Sequence, residues 1–239
     1  MNREEEIQFT ENDQSGGKPR LGIWVLVNVL IGIAFVFGCM MIVNRYIFIH
    51  VDQLKTAYYL SLLSSNIMFV LLILIIKASK RLSWVELGWK KVSIRAGIID
   101  VFKVWGITMV IYFAYMFFLV YKGLTPPENQ LSQLLQRPSL LALVINIFLI
   151  AVAAPFIEET LFRGMLFASM RPYLGCWTAV VISAAIFSGL HFELTGFVPR
   201  FILGIGLGYL YVKHQSIYPS IGLHALNNLL AVVMISTLS

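Results

Sequence analysis

Ser139–Met170 reads SLLALVINIFLIAVAAPFIEETLFRGMLFASM, an apolar run broken near its centre by Pro155-Phe156-Ile157-Glu158-Glu159-Thr160-Leu161-Phe162-Arg163. The run exceeds the ~20 residues that carry a helix across a ~30 Å hydrocarbon layer. Two adjacent carboxylates inside it are costly, about 2.5–3.5 kcal/mol or more for a charge at bilayer depth. Such groups are usually paired, face a cavity and carry function. Two later apolar segments each bring a histidine, His191 and His224, and the second adds Asn227 and Asn228. The pattern predicts a polar centre enclosed by spanning helices.

The rest of the chain agrees with that reading. Of 239 residues 59% are hydrophobic and 13% charged, and the mean hydropathy is +0.81, against roughly 25% charged in a soluble domain. A soluble protein with a large core is excluded by run length, leaving an all-α polytopic membrane bundle of about seven, or eight, helices. The expected spans are 21–43, 56–77, 97–121, 139–170, 176–192, 197–213 and 219–237. The long fourth helix must tilt, kink or project, and Pro155 is the natural place for a kink. The net charge of +6 lies in loops and at helix ends, so it reads as topology signal and lipid headgroup contact, not as a nucleic-acid surface. Cys39 and Cys176 have no metal-ligand spacing and read as small buried residues.

Three regions follow: a disordered tail over 1–20, N-terminal spanning helices over 21–121, and a core over 139–237. The tail carries both signs of charge, unlike a cleaved leader, and is expected to remain. Within the second region 82–95, with Trp84, Trp89, Lys90 and Lys91, reads as an interfacial amphipathic segment or a plain loop. Thr125–Pro138 reads as an external loop with a short helix through Leu131–Leu135. Eleven Lys and Arg fall in the segments inside, and five outside, if the N-terminus is cytoplasmic; the excess favours that orientation.

The candidate chemistry lies in the last three apolar segments and the fourth helix. Neighbouring helical residues point ~100° apart, so Glu158 and Glu159 serve different tasks. Glu159 and Arg163 stand at the i,i+4 spacing of an intrahelical ion pair. That leaves Glu158 free to act as general base and then general acid. At 1.5 Å per residue, Glu158 and His191 lie ~18 Å and ~22 Å from the turn between their helices, so they come level. His224 and Asn228, also i,i+4, offer donors of the kind an oxyanion needs, and Asn227 could substitute. Each group has a purely structural alternative: a buried Glu–Arg network, a satisfied core histidine, interhelical hydrogen bonds. His224 starts close to its loop, so the seventh helix must begin below the surface for the cluster to close. Gly204, Gly206 and Gly208 read as a close-packing surface, His50 and His214 as solvated, and Glu193 as surface or cavity rim.

Glu158-Glu159-x-x-x-Arg163, Phe187-x-x-x-His191 and His224-x-x-x-Asn228, in this order, resemble the three signatures of the CPBP family of CAAX-protease and bacteriocin-processing intramembrane proteases, also called Abi. The resemblance spans about residues 139–230. It implies an endopeptidase acting on a membrane-associated peptide or protein. Glu158 and His191 would activate water, His224 and Asn228 would form the oxyanion hole, and Glu159 and Arg163 would brace the motif helix. The family is widely labelled metalloprotease, and zinc on Glu158, His191 and His224 is one arrangement. Without a His-Glu-x-x-His helix, a metal-free mechanism with no cofactor is preferred. The expected setting is a bacterial plasma membrane. The competing readings are a non-catalytic bacteriocin-immunity or scaffold protein and a proton-coupled transporter.

Overall fold

The structure, a computed structural model, describes residues 21–124 and 135–238, and all of its regular elements are helical. The expected tail over 1–20 and nearly all of the expected loop helix lie outside the described residues. Among the described residues seven helices appear: α1 Ile23–His50, α2 Leu54–Ser79, α3 Ile94–Tyr121, α4 Leu140–Leu174, α5 Cys176–Gly189, α6 Leu194–His214 and α7 Tyr218–Leu238. Six are long and apolar enough to cross a membrane. Large side chains stand exposed along α1–α3, among them Phe35, Met41 and Phe117, as a lipid-facing surface requires. The protein is a multi-pass membrane protein.

The fifth helix departs from expectation. At 14 residues it is ~21 Å long, too short to span, and it stops at Gly189 instead of reaching 192. Leu190 caps it and Phe192 adopts a left-handed φ of 51°, so His191 sits in the turn after the helix.

The fourth helix is continuous but not uniform. Ile147–Ala153 and Thr160–Phe167 are π-helical, with α-helical Ala154–Glu159 between them. Pro155 explains where the first π segment ends. Ala154 N–H bonds the carbonyl of Leu149, five residues back. The next carbonyl in that ladder, Ile150, would need the N–H that Pro155 lacks. Every residue of Thr160–Phe167 is buried, and a single apolar cluster gathers around it from α1, α2, α5 and α6.

Helix α6 packs between α3, α5 and α7. Gly204 and Gly208 lie against Ala184 and Val180 of α5, as the small-residue surface requires. The connection 82–93 contains turns and no helix. Ser83 and Glu86 close it reciprocally, Ser83 N–H donating to Glu86 Oε2 at 2.7 Å and Glu86 N–H to Ser83 Oγ at 3.2 Å. Trp84 and Val85 are exposed while Leu82 and Leu87 are buried. Its main chain covers the α6–α7 turn: Gly88 O accepts from Ile217 N at 2.9 Å and Lys90 O from Ser216 Oγ at 2.7 Å. Helix α7 therefore begins beneath a cover, which lets His224 reach the cluster.

Candidate active site

The centre is built on a buried ion pair. Arg163 Nη1 donates to Glu159 Oε1 at 2.9 Å, with the side chains 1% and 0% exposed. A buried charge is tolerable only when paired and hydrogen-bonded. The second guanidinium edge is satisfied by the Gly204 carbonyl at 3.1 Å, which the close α5–α6 packing brings within reach. The guanidinium also lies over the Phe187 ring, 4.9 Å from its centroid.

From this pair the network passes to α7. His224 Nδ1 lies 2.9 Å from Glu159 Oε1, and because an ionised carboxylate only accepts, Nδ1 is assigned the proton. Nε2 then faces Glu158 Oε2 at 3.7 Å, close but beyond a hydrogen bond. The two carboxylates thus diverge as adjacent residues must, yet meet on opposite edges of one imidazole. Glu159 is sealed, whereas Glu158 keeps 27% of its side chain open.

His191 approaches from the turn after α5. Its Nδ1 lies 2.9 Å from the Phe187 carbonyl, an acceptor, which assigns Nδ1 the proton and leaves Nε2 as a lone-pair base. Glu158 and His191 line one cavity of about 150 Å³, with Phe37, Met40, Phe69 and Leu190 among its apolar walls. That volume holds a few waters at ~30 Å³ each. Phe187 stands behind both histidines, its centroid 5.2 Å from His191 and 5.6 Å from His224.

Asn228 reaches α4 instead of a side chain. Its Nδ2 donates to the Ile150 carbonyl at 2.9 Å, the group that Pro155 leaves without a ladder partner. One amide hydrogen and the amide oxygen remain for other use. Asn227 does not stand in for it, because it lines a separate cavity with Glu193 and Arg200. Those two form an ion pair, so Glu193 is a cavity residue.

His214 overturns its reading as solvated. Only 8% of its side chain is exposed, and it lies 3.0 Å from Asp100 Oδ2, which Lys213 also meets at 2.8 Å. The link joins α3 to the end of α6 across 114 residues of sequence, so no local spacing announces it. His50, stacked on Tyr46 and exposed, fits its reading. The carbonyls of Gly204 and Ile150 have no signal in the sequence, and Phe187, present in the Phe187-x-x-x-His191 signature, carries no assigned role there.

Residues 140–230 match the family model described as Rce1-like, the type II CAAX prenyl endopeptidases. Over this segment, and not over the N-terminal helices, the chain is similar to that family. The Rce1-like segment runs from the start of α4 into α7 and contains Glu158, Glu159, Arg163, Phe187, His191, His224 and Asn228. The family carries a CAAX protease-type endopeptidase activity. No curated protein and no solved structure matches the chain.

Proposed function

We propose that this protein is an intramembrane endopeptidase that hydrolyses a peptide bond of a membrane-associated peptide or protein by glutamate-activated water. The observation that carries this reading is the shared cavity of Glu158 and His191 beside a His224 ring held by Glu159. Glu158 takes a proton from water, and His191 Nε2 holds that water by its second hydrogen. The resulting hydroxide attacks the carbonyl carbon. The oxyanion is met by His224 Nε2, donating when the ring carries both protons, and by the remaining Asn228 amide hydrogen. Glu158 then returns its proton to the leaving nitrogen as the C–N bond breaks. Glu159 orients the imidazole, the part a buried carboxylate plays behind a catalytic histidine.

Zinc on Glu158, His191 and His224 is the alternative arrangement. Among the described residues no group of three or more His, Cys, Asp or Glu side chains is gathered to hold a metal ion, and no step is routed through one. The eleven-to-five Lys and Arg count supports a cytoplasmic N-terminus, which a reporter fused at the N-terminus reads directly; a bacterial plasma membrane is the proposed setting. Its substrates are prenylated CAAX-type chains, as the family name suggests, or unprenylated leader and bacteriocin peptides.

The test is turnover of internally quenched peptides, prenylated and unprenylated, by purified protein in nanodiscs. Glu158→Gln should lower turnover by about 10²–10⁴-fold without moving the thermal midpoint. Chelator should leave wild-type turnover unchanged. Turnover retained in Glu158→Gln would remove the mechanism, and loss to chelator would replace it with a metal one.

A further inference from the structure

A second cavity, of about 310 Å³, opens between α3, α6 and α7. Its lining sets polar groups among apolar ones: Thr108 and Tyr112 from α3, Glu193, Thr195 and Arg200 at the entry of α6, and Asn227 from α7, beside Met109, Met116 and Leu203. Glu193 is two residues from His191, and Asn227 is one turn from His224 and adjacent to Asn228, so the cavity borders the proposed reaction centre through the chain itself.

The lining is fixed before any ligand arrives. Tyr115 donates its hydroxyl to the Thr195 carbonyl at 3.1 Å, tying the first turn of α6 to α3. Arg200 Nη2 is taken by Glu193. The guanidinium lies against Gly196, where a Cβ would collide with it. Yet Arg200 Nη1 and Thr195 Oγ1 are buried without a hydrogen-bond partner. Buried donors left unmade are expensive and uncommon, so two in one small cavity point to a ligand that completes them.

The chemistry of that ligand follows from the donor balance. A guanidinium edge, a hydroxyl and a carboxamide supply donors in excess, which calls for carbonyl oxygens. Glu193 already neutralises Arg200, so a carboxylate would place an extra negative charge beside Glu193 in a low-dielectric site. A neutral amide carbonyl carries no such penalty. The volume, at the lower end of the ~300–1,000 Å³ of ligand sites, suits a short stretch of chain and not a folded partner.

We propose that this cavity binds a neutral stretch of the substrate's peptide backbone next to the scissile bond, with Arg200, Thr195 and Asn227 as its hydrogen-bonding residues. The inference rests on the proteolysis reading for its substrate, but its test reads binding and not turnover. The probe is an acetylated, C-terminally amidated apolar tripeptide carrying a photoreactive diazirine, with its free-acid counterpart, applied to the full chain in nanodiscs. Saturable labelling should map to 108–116, 193–203 and 227–231. It should fall about tenfold in Asn227→Leu and in Arg200→Gln and recover partly in Arg200→Lys. It should persist in Glu158→Gln. Labelling unchanged in Asn227→Leu and Arg200→Gln, or mapped elsewhere, would overturn the site. Stronger labelling by the free acid would overturn its neutral character. Labelling of the cavity by a protein that cleaves no peptide would keep the site and defeat the protease reading, so the two failures are distinguishable.

Discussion

Glu159 decides the charge balance at the centre. It takes Arg163 and His224 on the same oxygen, Oε1, at 2.9 Å each, while Glu158 forms no hydrogen bond through Oε2. Removing Glu159 is therefore a stability change, whereas removing Glu158 is, under the proposed mechanism, a catalytic one. Glu159→Leu leaves a guanidinium that is 1% exposed without its counter-charge, which costs about 3–5 kcal/mol in buried pairs. Adding Arg163→Met should recover most of that loss, since an apolar pair avoids desolvating either ion. Equilibrium unfolding in mixed micelles separates the cases, and a double variant as unstable as the single one would show that the pair is not what Glu159 stabilises. The Glu159–Arg163 pair was legible because it is local, four residues apart on one helix. Asp100 and His214 form a comparable buried link that was not legible, because the two stand on different helices, 114 positions apart.

Helix α4 shows what a single proline does when a neighbouring helix can compensate. Pro155 removes the donor that the π ladder would next supply to Ile150, and Asn228 from α7 supplies it instead. The structural part of Asn228's role therefore depends on Pro155. In the wild type, Asn228→Ala strands a main-chain carbonyl and should cost about 1–3 kcal/mol. In Pro155→Ala, the main chain can reach Ile150 in either register, from Ala154 in the α ladder or from the new residue in the π ladder. The same Asn228→Ala change should then cost little, a coupling of about 1 kcal/mol or more in a double-mutant cycle. Additive changes would mean that Asn228 and Pro155 act independently. Pro155 was visible in the sequence, but the π register was not, since it depends on an asparagine 73 positions further on. The early end of α5 was hidden for another reason: Leu190 and Phe192 are apolar and continue the hydrophobic pattern past Gly189, where only backbone geometry stops the helix.

At the scale of the molecule, the connection 82–93 locks the halves together. Its role as an interfacial strip or loop followed from Trp84, Trp89 and the lysines, but its inward contacts reach α4, α6 and α7, more than seventy residues away. Leu87 is fully buried, and its carbonyl lies so near Gly164 that a Cβ there would stand 2.6 Å from the oxygen. Glycine at 164 is thus a condition for the cover, and the cover holds Ser216 and Ile217 at the start of the helix that carries His224. Gly164→Ala should push the Leu87 carbonyl outward, with the 1–3 kcal/mol typical of overpacking. The effect should spread: faster amide exchange at Ile217, whose N–H bonds Gly88 O, along with the amides of 84–89, while α1 and α2 keep their protection. Exchange confined to the neighbours of Gly164 within α4 would show that the connection only rests on the bundle and does not seat α7.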